Sequence, residues 1–298
     1  MESAGFRSAG TGYVMPKPED IEVIMERRPH WEFLQNLPRE LHGFTFKEGG
    51  LILPKEQRGY AIEDGEDTGG HEFLLGTYEN EAARRRLDLV YTKETYDYVP
   101  IRQVGLLRYR DFRFITRDKD QFVEWISGRI DELVEETTPT YIPRSAHLLK
   151  VKGILDWHFP DTLPDRIGNF VKFIGPQHPL EFLNATTVIL DYVDFDGCNE
   201  LVFFYNRARN EYYAENKKHM FPSTMHEFDA KKLPDLEELL AEKLESYLLE
   251  LGRGRSGRGD FNRCGGARRM ALRFRACCWD FIVKKLDSNA EITYTINA

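Results

Sequence analysis

The sequence predicts an α+β fold: a mainly antiparallel sheet with packed helices, preceded by a helical N-terminal portion. Three observations predict it. Runs rich in β-branched and aromatic residues cluster after residue 104, two long segments carry apolar side chains at helical spacing, and hairpin-like strand pairs outnumber strand–helix–strand alternations.

In chain order, Ile21, Ile24 and Met25 recur at helical spacing until Pro29, and Trp31, Phe33, Leu34 and Leu37 predict a second short helix that stops before Pro38. Gly49 and Gly50 lead into Leu51, Ile52 and Leu53, a brief strand, and residues 62–71 are loop-like. The Arg84-Arg85-Arg86 triplet is read as the polar face of a helix that buries Leu87 and Val90. Residues 104–115 alternate, with Arg108, Arg110 and Arg113 set among Leu107, Tyr109 and Phe114, which predicts a half-buried strand or hairpin. Asp118 then has the chemistry of an N-cap, with Gln121 three residues on, and Phe122, Ile126, Ile130, Leu133 and Val134 form one stripe ended by residues 137–144.

Further along, residues 147–155 are expected as a strand, 156–167 as a loop, and 170–174 and 185–193 as strands. The turn formers between Asn206 and Asn210 favour a hairpin over a strand followed by a helix. The most regular element is 236–251. Asp235 and Glu238 resemble a capping box, Leu236, Leu239, Leu240, Leu244, Leu248 and Leu251 line one face, and Gly252 suits a C′ position. No internal repeat is legible.

The expected organisation is a mobile terminus over 1–17, one body over 18–251, an Arg/Gly-rich linker over 252–278 and a C-terminal segment over 279–298 that returns as a strand through 292–296. The body itself divides into a helical part, 18–100, and a sheet part, 101–251. Apolar runs are far shorter than the ~20 residues a spanning helix needs, and the first twenty residues lack the apolar core of a secretory signal, so no membrane partner and a cytoplasmic location are expected. Cys198, Cys264, Cys277 and Cys278 show neither zinc-site pairing nor disulfide density and are read as free thiols.

A net charge of −8 argues against nonspecific nucleic-acid binding by the body. Eight arginines against Asp260 nevertheless make residues 252–279 strongly basic. Within them Arg253, Arg255, Arg258, Arg268 and Arg269 are candidate phosphate contacts of a nucleic-acid arm over 252–276, against the plainer readings of a solvated linker or a shifted-frame translation.

Two other clusters bear on chemistry. Asp156, His158 and Asp161 place an imidazole between carboxylates, the elements of a general base in a hydrolase-like enzyme, with His178 a further candidate partner. Arg207, Arg209, Asn210 and Glu211 sit at the expected hairpin tip, where guanidinium forks suit an anionic ligand and a tip salt bridge is the plainer alternative. Asp191, Asp194 and Asp196 before Gly197 miss the register of a calcium loop, and His219, His226 and Asp229 lack the spacing of a helical zinc site, so no metal site and no cofactor are named. The expectation is a noncatalytic binding or regulatory module with a protein partner; the alternatives are the hydrolase and the nucleic-acid binder.

Overall fold

The computed structural model describes residues 23–24, 31–52, 72–93, 95–183 and 185–253. The expected mobile N-terminus, the 62–71 loop, the basic segment beyond Arg253 and the C-terminal strand lie outside the described residues. The described residues form two antiparallel sheets with few helices. A short helix α1 (Glu32–Asn36) leads into β1 (Glu40–Leu41), β2 (Phe44–Ile52), β3 (Glu72–Asn80), β4 (Arg85–Thr92), β5 (Asp97–Val104) and β6 (Leu107–Arg110), which pair in sequence order as one meander. A 3₁₀ turn (Phe112–Phe114) and the helix α2 (Lys119–Glu135) complete this unit.

After α3 (Ala146–Val151) and α4 (Phe159–Thr162) the pattern recurs. The second sheet comprises β7 (Arg166–Ile167), β8 (Phe170–Ile174), β9 (Leu180–Glu181), β10 (Thr186–Asp194), β11 (Asn199–Asn206), β12 (Glu211–Lys218) and β13 (Phe221–Thr224), followed by α5 (Leu233–Gly252). Its order is β13-β12-β11-β10-β8-β7, with β9 also on β10.

The correspondence is residue by residue. Strands β10 to β13 begin 114 residues after β3 to β6, at Thr186, Asn199, Glu211 and Phe221 against Glu72, Arg85, Asp97 and Leu107, and α5 begins 114 after α2. Equivalent slips of register fall between Leu74 and Gly76 in β3 and between Val188 and Leu190 in β10. Equivalent bridges join Tyr98 to Thr116 and Tyr212 to Ala230. The N-terminal hairpin of each unit repeats at 126 residues, so Leu37-Pro38 matches Leu163-Pro164 and Phe44 matches Phe170. In each unit a tyrosine on the third paired strand closes this hairpin: Tyr78 Oη donates to Pro38 O and Tyr192 Oη to Pro164 O, both at 2.7 Å. The described residues thus form a tandem pair of one structural unit, a repeat that was not legible in the sequence.

Each sheet buries one face under its long helix. Phe122, Ile126, Ile130 and Val134 of α2 pack on Leu75, Tyr78, Leu87, Leu89, Tyr91 and Tyr98; their counterparts Leu236, Leu240, Leu244 and Leu248 of α5 pack on Ile189, Tyr192, Leu201, Phe203, Tyr205 and Tyr212. The units meet where the tight β5–β6 hairpin lies against the face of the second sheet opposite α5. Val104, Leu107 and Tyr109 join Ile174, Leu180, Val188, Val202 and Phe204 in one cluster. Gly105 sits at this contact at φ +61°, and a Cβ there would stand 2.8 Å from the Phe173 ring, so both backbone and space require glycine.

The structure departs from the sequence expectations at several places. Arg85 and Arg86 belong to a strand rather than a helix, because Leu87, Leu89 and Tyr91 alternate with Arg86, Asp88 and Val90 across two buried faces. Residues 40–110 are mostly strand among the described residues, so the helical N-terminal portion reduces there to α1 and residues 23–24. The strand expected over 147–155 is α3, which buries Leu149. Helix α5 starts three residues earlier than the stripe suggested, with Pro234 in its first turn and no side-chain cap. Cys198 is disulfide-bonded rather than free, and the other cysteines lie outside the described residues. Among the described residues no helix is long and apolar enough to cross a membrane.

Candidate functional site

The most elaborate polar arrangement stands where the first unit hands the chain to the connector, residues 136–156. Helix α2 starts as the sequence predicts, Asp118 Oδ1 accepting from the amides of Asp120 and Gln121. Its last carbonyls are taken by the turn that follows, Thr137 donating to Leu133 O and Val134 O and Thr138 to Glu135 O, and a buried arginine holds that turn: Arg85 Nη1 donates to Thr137 O at 3.1 Å and Thr138 O at 2.8 Å.

Beside it lies a charge quartet. Arg102 donates to Asp111 Oδ2 through Nε (3.2 Å) and Nη2 (2.9 Å), and Nη2 also reaches Glu136 Oε2 at 2.5 Å. Arg113 donates to Asp111 at 2.8 and 2.6 Å and to Glu136 Oε1 at 3.0 Å, with a second contact to Glu136 Oε2. Burial alone pushes the Asp111 and Glu136 carboxyls up, but Arg113 and Arg102 together outweigh it and hold both below the usual carboxylate range. Two guanidinium forks thus balance two carboxylates, and each carboxylate is bound from two sides. Glu132 extends the array to Arg129 at 2.7 Å and to Arg144.

The quartet is particular to the first unit. The positions 114 residues after Arg102 and Asp111 are Asn216 and Met225, where the Asn216 amide donates to Tyr247 Oη at 2.6 Å and contacts Met225 Sδ at 3.7 Å. One scaffold position therefore carries a salt bridge in one unit and a neutral contact in the other.

What the quartet positions is exposed and apolar. Phe112, between Asp111 and Arg113 in the 3₁₀ turn, is 55% exposed, as is Ile142 beyond Glu136. Leu148 and Val151, three residues apart on α3, are exposed too. Four of the five large apolar side chains exposed among the described residues therefore lie within residues 112–151. Of these four, Ile142 lines a pocket of about 510 Å³, together with His42, Glu135, Thr138, Pro139, Thr140 and Tyr141. His42 Nε2 lies 3.1 Å from Asp131 Oδ1 at its rim.

The residues singled out in the sequence lie elsewhere. His158 Nδ1 is 3.0 Å from Asp161 Oδ2, but the side chains are 76% and 56% exposed, and Asp161 is approached by Gln177 rather than His178. Of the hairpin set, Arg207 bridges to Glu181 at 3.0 Å, Arg209 lies 3.5 Å from Glu211, Glu211 binds Lys231 at 2.6 Å, and Asn210 Oδ1 accepts from Tyr205 Oη at 3.0 Å. These contacts fold the loop back on its own sheet. Arg253 follows the end of α5, whereas Arg255, Arg258, Arg268 and Arg269 lie outside the described residues. Asp194 Oδ1 accepts from the Gly197 amide in the β10–β11 turn, His219 contacts Gly197 O, and His226 pairs with Asp229 at 2.8 Å. No group of three or more potential metal ligands assembles among the described residues.

The quartet was missed because its members come from β5, the 3₁₀ turn and the end of α2. The alternation around Arg110 and Arg113 was visible; that Glu136 closes on it depends on the helix length and the meander together. Compared with known proteins, the chain matches no family model, no curated protein and no solved structure.

Proposed function

We propose that the chain is a noncatalytic binding module: two copies of one sheet-and-helix unit form the frame, and the surface around the connector engages a protein partner. The observation that carries this reading is that four of the five large apolar side chains exposed among the described residues, Phe112, Ile142, Leu148 and Val151, fall within one stretch of 40 residues, with Phe112 and Ile142 on segments that adjoin the buried ion pairs of Arg102 with Asp111 and Glu136. Exposed apolar side chains gathered on a preorganised surface cost little to order on binding and gain from being covered. The quartet spends its charges on itself, which suits a positioning role better than proton transfer.

The test compares the proteins retained by the wild-type chain with those retained by Phe112→Ser/Ile142→Asp and by a control, Glu242→Lys, on the exposed face of α5. A protein held by wild type and control at equal strength, and at least tenfold weaker by the double variant at unchanged stability, supports the reading. Equal retention by all three overturns it.

The hydrolase-like alternative rests on one observation, the 3.0 Å contact that orients the His158 imidazole on Asp161. It requires an ester- or phosphoester-cleaving activity that falls at least a hundredfold in His158→Gln.

A further inference from the structure

The junction between the two units encloses more acid than base. Asp191 and Glu200 are both fully buried. They are diagonal neighbours on the face opposite α5, since Asp191 pairs with Val202 and Glu200 with Val193. Lys217, opposite Glu200 on β12, puts its ammonium 2.7 Å from Glu200 Oε2 and donates across the junction to Leu106 O at 3.0 Å. Among the described residues, neither carboxylate oxygen of Asp191 has a hydrogen-bond partner.

Among the described residues, the packed elements bring few other charges to this cluster. Strand β11 contributes Glu200, and β12 contributes Lys217 and the exposed Glu215, which pairs with Val202. Strand β8 sets Ile174 against Asp191, and the β5–β6 hairpin brings main chain with Val104 and Leu107. Fully ionised, two buried carboxylates would share one ammonium, an arrangement that desolvation penalises heavily. The first unit avoids this at the equivalent positions. Thr77, counterpart of Asp191, donates to Asp88 at 2.8 Å, and Arg86, counterpart of Glu200, bridges Asp88 at 2.9 Å.

We propose that Asp191, Glu200 and Lys217 form a proton-operated lock between the units, closed when the acid pair holds one proton and released when that proton is lost. With one proton, Asp191 is neutral, Glu200 pairs with Lys217, and Lys217 keeps its hold on Leu106. Without it, a second buried anion competes for the same ammonium, and the relief is hydration, which lifting the hairpin admits. Burial and the adjacent Glu200 push the Asp191 carboxyl well above the ordinary range; burial also raises Glu200, against the pull of Lys217. Because the folded values are raised, the stabilisation is full below the unfolded carboxylate range, near pH ~4, and is lost as pH rises through the folded value.

The experiment follows urea unfolding and hydrogen exchange of the full chain from pH 5 to pH 9, with exchange corrected for its intrinsic base catalysis. The unfolding constant of the wild type should rise by up to about tenfold per pH unit over part of this range relative to Asp191→Asn, the slope of one proton released on unfolding. Exchange in peptides covering residues 104–109 and 211–218 should accelerate with pH, while α5, residues 236–248, holds its protection. Asn mimics the neutral carboxyl, so Asp191→Asn should flatten both dependences, and Glu200→Gln should do the same if the first variant does not fold. A pH dependence unchanged in these variants, absent from the wild type, or equal in α5 and the junction would overturn the lock.

Discussion

Replacing Arg102 by asparagine, the residue its second-unit counterpart carries, should be among the most costly single changes in the chain. The Arg102 side chain is 5% exposed and donates to Asp111, Glu136 and the Thr137 hydroxyl. Its loss leaves two buried carboxylates facing Arg113, which is itself 46% exposed. Breaking a buried pair by removing one partner costs about 3–5 kcal/mol; with Arg113 still neutralising part of the charge, the lower end, about 3 kcal/mol, is expected at pH 7. Asp111 and Glu136 titrate below their ordinary range in the intact quartet, so the stabilisation is present above the unfolded carboxylate values and lost as pH falls through the depressed folded ones. The penalty of Arg102→Asn should therefore shrink toward pH 3. Adding Asp111→Met, the other second-unit residue, removes one stranded charge and should recover about 1–2 kcal/mol, a coupling of the size expected for contacting residues. Urea unfolding of the two single variants and the double at pH 7 and pH 3 reads all of this. A cost below about 1 kcal/mol, a cost that does not fall with pH, or a double variant weaker than Arg102→Asn alone would refute the reasoning.

Other outcomes follow from the pairing of the units. Tyr78→Phe and Tyr192→Phe should each cost about 1 kcal/mol, the net worth of one hydrogen bond, and combine additively by urea unfolding; unequal costs would break the equivalence. Asp118→Ala should lose about 0.5–2 kcal/mol because its carboxylate caps two amides, whereas Lys232→Asp should stabilise α5, whose N-cap makes no side-chain bond; a thermal melt checks both signs. Gly105→Ala should destabilise by about 1–3 kcal/mol through positive φ and the clash with Phe173, and should raise hydrogen exchange at the junction more than in α2.

The two long helices were legible because a four-residue spacing of large apolar side chains has one reading: Phe122, Ile126, Ile130 and Val134 are the buried stripe of α2 as expected, whereas the short α3 and α4 were not. The hairpin across residues 206–210 was legible from its turn formers. Strand β4 was not, because a sheet buried on both faces loses its alternation: Asp88 and Val90 are as buried as Leu87 and Leu89. The repeat was hidden for a related reason. What the units share is a sparse set of core residues, Trp31 with Trp157, Tyr91 with Tyr205, Tyr98 with Tyr212 and Phe114 with Phe228, and their spacing changes from 126 to 114 between the first hairpin and the meander. Exposed positions differ between the units, so no contiguous stretch repeats. The candidate site was harder still, because apolar residues in a proline-containing connector read as loop until the elements beside them are placed.

The pairing of the units is tested most directly by cross-strand nuclear Overhauser contacts in the full chain. The account requires Leu87 opposite Arg102 and Leu201 opposite Asn216, together with matched register slips at Leu75 and Ile189. Helical contacts across residues 85–92, or a second ladder that does not reproduce the first at 114 residues' distance, would contradict it.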